Sequence, residues 1–312
     1  MLDTIVMKET LDARTFQQHL RSLANTIALK VEREGPKVPL KPAFVSADIT
    51  VLIRQALNTY DLFFFINADD RRKKDCDWKV AYSAVILPLI RCMIDCLYNI
   101  TVILENPGIK AYQFRASGYK LALLALESDE KRYGGNSRWD AHIASRREFI
   151  QMGMRVDGFT AEEVGSAKIW PTMSLYLRPE KNVPLTPHQE FLTKLTLGFW
   201  QEYSGIAHAT FQGLMSTAMC YVTDKVTPEE QPRFEDAFEA MLFIQVTRVA
   251  AILLCILTEV QAHCRFGGAR INERLHEIWN ALLKAPEVKE LYDERYSKLM
   301  QDRGVRPDQE FD

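Results

Sequence analysis

The chain has 312 residues, a formal net charge of −2, 26% charged and 47% hydrophobic residues, which is an ordinary globular balance with ample material for a core. No polybasic tail and no high pI occur, so bulk electrostatics give no argument for a nucleic-acid partner. The start, Met1 to Thr10, lacks the basic and then apolar pattern of a secretory leader, and a cytoplasmic protein is the expectation.

Apolar periodicity predicts helices throughout, with hardly any alternation of period two. An amphipathic helix over about Thr10 to Glu34 ends in the connector Gly35 to Pro42. A second spans about Ser46 to Asn67, followed by the charged loop Asp69 to Asp77. The third, about Trp78 to Leu104, contains Pro88, which should bend it, and holds Arg91 and Asp95 inside an otherwise apolar run. A fourth, about Lys110 to Leu126, precedes a segment from Glu127 to Asn136 that reads as an exposed loop. A fifth covers about Ser137 to Val156.

Between Gly158 and Pro187 prolines and glycines break the pattern, while Trp170, Met173, Leu175 and Tyr176 predict a packed loop with a short helix near 161–164, the best candidate for a lid. A sixth helix is expected over about Pro187 to Val222. A seventh runs over about Pro228 to Cys264, opened by Thr227-Pro-Glu-Glu. After Gly267-Gly268 a C-terminal helical pair, about Ala269 to Lys284 and Pro286 to Asp302, ends the chain. Its Ile278, Leu282, Leu283 and Leu291 suit either the core or a dimer interface.

The predicted fold class is an all-α, multi-helix bundle with a long packed loop (about 158–187) and a C-terminal helical pair. Its divisions are a peripheral N-terminal helix and connector (1–42), a main bundle (43–264) and the C-terminal pair with its tail (265–312). Stretches 85–104 and 241–260 approach the ~20 residues of a membrane span. The charged residues within them fit buried helices of a soluble protein better, and no membrane partner is expected. Six cysteines form no C-x-x-C pair, consistent with reduced thiols, and no metal site or cofactor is expected.

The polar residues inside apolar helices are the chemical signal. Arg91 and Asp95 are four apart and share a helix face, where a charge in a core requires partners. Ser204 and His208 are likewise four apart, Tyr203 adjoins them, and Arg248 interrupts the seventh helix. Together they predict a polar cluster in which Arg91, Asp95, Arg248 and Tyr203 bind an anionic ligand, an arginine fork suiting phosphate or carboxylate. His208 and Ser204 are the catalytic candidates if chemistry occurs. A serine hydrolase is disfavoured because no G-x-S-x-G turn is present. His276-Glu-Ile-Trp-Asn280 falls one histidine short of a zinc-protease motif. The spacings Arg14 to His19 and Arg270 to His276 match a pattern of helical ribonucleases but are expected about once by chance.

Arg91-Cys-Met-Ile-Asp95, followed by Leu-Tyr-Asn-Ile, and then Tyr203-Ser-Gly-Ile-Ala-His208, resembles a widespread uncharacterised all-helical bacterial family. Its members pair an Arg-x-x-x-Glu helix with a downstream Tyr/Ser-x-x-x-His helix. The resemblance covers about residues 80–260, with Asp95 where that family usually has Glu. It implies a helical architecture loosely like the nucleotide-binding and ribonuclease domains of defence and toxin systems. Three functions therefore stand as expectations: a cytosolic binding or interaction protein with a semi-buried polar pocket for a small anionic ligand; a metal-independent ribonuclease or phosphodiesterase of a defence or toxin type, with RNA as partner and Arg146, Arg147 and the run Arg71 to Lys74 at its rim; and a purely structural cluster in an assembly protein, with a homo-oligomer among the outcomes.

Overall fold

The computed structural model describes residues 13–34, 44–68, 76–178, 183–211, 213, 227–266 and 269–301. Among them no strand occurs, and the fold is all-α. In chain order the helices are α1 (Ala13–Leu29), α2 (Phe44–Ala68), α3 (Cys76–Glu105), α4 (Pro107–Tyr133), α5 (Ser137–Asp157), α6 (Ala161–Ser166), α7 (Met173–Tyr176), α8 (Pro187–Leu195), α9 (Gln201–Ala207), α10 (Gln231–Cys264), α11 (Ala269–Leu282), α12 (Pro286–Leu291) and α13 (Ser297–Gln301). Wider π turns follow α1 (Lys30–Glu34), join α8 to α9 (Thr196–Trp200) and join α12 to α13 (Tyr292–Tyr296). The chain forms two compact units, one of residues 1–39, 46–101 and 179–312, the other of residues 40–45 and 102–178.

The first unit is built around α10. From Val249 to Val260 every side chain of α10 is buried, so this stretch has no solvent face and must be surrounded. Each fully buried Leu or Ile there contributes about 1.5–3 kcal/mol relative to exposure. Helix α1 presents Leu20, Leu23, Ala24 and Ile27, all fully buried, at the three-and-four spacing of one helix face, and packs against α10 and α11. It is a core element, which corrects the expectation of a peripheral helix. The C-terminal residues Ile278, Leu282 and Leu291 are also buried in this unit, which assigns them to the core and not to a dimer surface. Helix α3 continues through Pro88 as one helix.

In the second unit α4 and α5 form an antiparallel hairpin around Ala116, Leu126, Ile143, Ile150 and Met154, with Phe159 and Val164 closing the same core. Asn106 and Asn136 cap the two helices, and Gly158, at φ 79°, ends α5 in the left-handed region that glycine tolerates. The segment expected as an exposed loop over 127–136 is helical as far as Tyr133. Its charges explain why: Asp129 pairs with Arg146 and Glu130 with Arg147 across the hairpin, so a run that reads as solvated is an inter-helix seam.

The long segment after α5 is packed as expected. Phe159, Val164 and Met173 are buried, the Trp170 amide donates to Ser117 Oγ at 2.6 Å, and Lys120 Nζ donates to the carbonyls of Gly165 and Ala167 at 2.8 and 2.7 Å. A capping box between Thr160 and Glu163 starts α6.

Two helical stretches, Ile86–Glu105 and Ala240–Cys264, are long and apolar enough to cross a membrane, and an 18-residue apolar window in each is 67% and 61% buried within the protein. The connector after Gly35, the run Arg71 to Lys74 and the stretch 214–222 of the expected sixth helix lie outside the described residues.

Candidate functional site

Helix α3 buries Ile90, Met93, Ile94 and Leu97 completely, which leaves Arg91 and Asp95 together at the margin of that face. Their side chains are 26% and 44% exposed. The pair is therefore half-solvated, at the edge of the buried face. Arg91 Nε stands 3.8 Å from Asp95 Oδ2, too far for a hydrogen bond. Arg91 NH1 lies 2.6 Å from His208 Nε2, and its guanidinium carbon sits 5.1 Å from the centre of the Trp200 ring, a cation–π distance. Among the described residues, two buried donors in this group, Arg91 Nε and Trp200 Nε1, complete no hydrogen bond. Burial raises the Asp95 carboxyl above 3.8, opposed by the Arg91 charge and the nearby Trp200 indole N–H.

The segment that supplies Trp200 and His208 is irregular for local reasons. Thr186 and Gln189 form a capping box, with Pro187 at the first helical position. Thr193 and Thr196 donate their hydroxyls to the carbonyls of Gln189 and Leu192 at 2.7 Å each, a competition that loosens helical geometry. The π turn follows at once, with the Gln201 amide donating to Thr196 O.

Helix α9 then stops at Ala207, where a continuous helix was expected. Ala209 adopts a left-handed φ of 49°, costly for a residue with a Cβ. The Thr210 hydroxyl donates to Gly205 O at 3.1 Å and accepts from the Gly213 amide at 3.2 Å. A Cβ on Gly213 would lie 2.3 Å from Gly205 O, so two backbone segments meet where only glycine fits. This elbow turns exposed His208 toward Arg91. Ser204 is left with a backbone role, its carbonyl accepting from the His208 amide at 3.0 Å. No side-chain bond joins Ser204 to His208 among the described residues, so the hydroxyl–imidazole pair expected from the spacing is not formed.

Arg248 belongs to a different group. Its Nε and NH2 donate to the Glu287 carboxylate at 3.0–3.1 Å, and its NH1 donates to Glu202 at 2.8 Å and to the Tyr203 hydroxyl at 3.1 Å. Tyr203 in turn donates to Gln245, and Arg248 lies over the Phe199 ring at 5.1 Å. Burial alone would lower the Arg248 pKa, but Glu287, Tyr203 and Glu202 hold it above its ordinary value. Burial likewise raises the Tyr203 phenol. With its side chain 14% exposed and two carboxylates on it, Arg248 is a clamp between α9, α10 and α12.

Arg91, Asp95 and His208 are thus brought together, with Trp200 added, while Arg248 and Tyr203 form a second group. No hydrogen bond or ion pair joins the two groups among the described residues. The sequence reading missed Trp200, Glu202 and Glu287, which carry no signal without knowledge of helix pairing. Glu259, visible in the sequence as a charge inside the apolar run that argues against a membrane span, carries a partner the sequence does not show. Glu259 forms a bidentate pair with Arg295 at 2.5 and 2.9 Å, the side chains 5% and 11% exposed.

Arg146 and Arg147, expected at the rim of an RNA site, pair with Asp129 and Glu130 within the second unit. Arg270 and His276 are both exposed on α11 but, six residues apart, sit about 120° from each other around the helix. No group of three or more metal-binding side chains gathers among the described residues. Two open surface depressions lie on α2 beside Val51, Asn58 and Leu62 and at Pro286, Lys289 and Asp293, and neither is lined by the Arg91 group. No family model, curated protein or solved structure matches this chain.

Proposed function

We propose that this is a cytosolic helical binding protein whose Arg91 and His208 take a small anionic ligand, phosphate-bearing or carboxylate, without bond-breaking chemistry. The observation that carries the reading is the contrast between two arginines. Arg248 has a carboxylate on each side, and all three of its nitrogens donate to acceptors. Arg91 is held by a neutral imidazole, an aromatic face and a carboxylate 3.8 Å away, so its charge is only partly answered. An incoming anion would find a planar donor fork beside an exposed histidine, at the margin of a helix that fixes the arginine from behind.

A metal-independent ribonuclease or phosphodiesterase of defence type would use the same His208 as general acid or base. That reading is the weaker one, because His208 Nε2 is already bonded to Arg91 and the basic rim it needs is partly spent in ion pairs. Thermal shift and calorimetry with inorganic phosphate, nucleotides and short RNAs, on wild type and Arg91→Ala, test both. Stabilisation that Arg91→Ala abolishes, with the probe recovered intact, is expected. RNA cut by wild type and spared by His208→Ala would favour the nuclease, and no response to any probe would leave the group a structural role.

A further inference from the structure

Helix α5 has two faces. One carries Ile143, Ile150 and Met154 into the hairpin core. The opposite face reads His142, Ser145, Phe149, Met152, Val156, the alternating three-and-four spacing of a coiled-coil seam. Its apolar end is solvated, with Phe149 71%, Met152 48% and Val156 80% exposed. Isolated exposed apolar residues need no explanation, but these three are successive seam positions on one helix.

Charges flank the seam on one side. Glu148 and Arg155 both immediately precede an apolar seam position and lie two turns apart. Both are exposed, and neither makes an ion pair among the described residues. Their neighbours do: Arg146, Arg147 and Asp157 are all taken up by α4. The helix has therefore sorted its charges into a set spent inside the hairpin and a complementary pair left beside the apolar stripe.

We propose that this face docks against a second copy of this chain through an antiparallel α5–α5 pairing. The stripe is self-complementary in that direction. A two-fold axis near Met152 lays Phe149 of each copy on Met152 and Val156 of the other, and sets Glu148 of each copy beside Arg155 of the other. In a parallel two-fold pairing the charged flanks of the two copies would lie on opposite sides of the seam, and Glu148 of one copy would not meet Arg155 of the other. The two-fold relation makes each contact occur twice, as an isologous interface requires. A single helix pair buries less than the ~1,600 Å² of a standard interface, so the dimer belongs in the micromolar range. The C-terminal helices bury Ile278, Leu282 and Leu291 in the core and leave Leu283 half-buried.

Sedimentation of the full chain, from about 1 to 300 μM so as to bracket a micromolar Kd, tests the pairing. A monomer–dimer equilibrium is expected in wild type and its loss in Phe149→Glu, a substitution at an exposed site that leaves the circular dichroism unchanged. Glu148→Arg and Arg155→Glu should each weaken the dimer about tenfold, since each puts two like-charge contacts in the interface. The double variant E148R/R155E should recover the wild-type Kd. A wild type that stays monomeric throughout, a dimer indifferent to Phe149→Glu, or a double swap no better than its singles would overturn the proposal, the first leaving the stripe to a partner other than a second copy.

Discussion

Arg91 NH1 approaches His208 Nε2 at 2.6 Å, and because a guanidinium can only donate, Nε2 must hold a lone pair. The imidazole in this contact is therefore neutral, with its proton on Nδ1. Nitrogen-15 NMR of the ring should show the Nδ1–H tautomer in wild type, and Arg91→Met should remove that preference. An Nε2-protonated ring in wild type would mean that the contact is not formed in solution.

Asp95 gives a pH dependence whose sign is fixed. Burial raises its carboxyl above 3.8 in the folded protein, so the native state binds this proton more tightly than the unfolded chain. The contribution to stability is present on the acid side and is lost as pH rises through the folded pKa. At neutral pH the charged carboxylate is a cost. Asp95→Asn should keep or raise the melting temperature at pH 7 and flatten the fall in stability that wild type shows as pH rises above the ordinary carboxylate range. It should also tighten phosphate binding at Arg91 by removing a competing anion. Melting curves across pH, beside phosphate titrations, check both.

Glu259 and Arg295 are the most buried ion pair described, and removing one partner strands the other. Glu259→Gln should cost about 3–5 kcal/mol in urea unfolding. Replacing both with Leu and Met should cost much less, since the pair's desolvation is removed with it.

Gly213 occupies a site where backbone approaches backbone, so Gly213→Ala has no flexible side chain to displace. Opening the elbow should cost about 1–3 kcal/mol and should carry His208 away from Arg91. Phosphate affinity would then fall by the same factor as in His208→Ala. A variant with wild-type stability and affinity would contradict the close contact.

Helix identity was legible because apolar spacing reports it directly: α2, α3, α5 and α10 end within three residues of where the pattern puts them. The errors share one origin. Glu127 to Arg132 looks like a solvated loop until Arg146 and Arg147 are known to lie opposite, and the stop at Ala207 depends on a glycine contact closed by Gly213. Arg91 and Asp95 stood out for the right reason, being polar in an apolar run, yet sequence could not reveal that they lie at the edge of the buried face. The partition of Arg91 from Arg248 was illegible, since it depends on where Glu202 and Glu287 arrive from elsewhere in the chain.

The π turn at Thr196–Trp200 amounts to one residue more than an α-helix would hold in the same length. Every side chain after it is rotated by about 100° from the direction a regular helix would give. Trp200 meets Arg91 and Tyr203 meets Arg248 only because of that extra residue. A one-residue deletion here, at Gly198 for example, would regularise the helix and leave composition and hydrophobicity almost untouched. It would nonetheless turn both aromatic rings away from their arginines together, so the length of this segment matters more to the site than the identity of most residues within it.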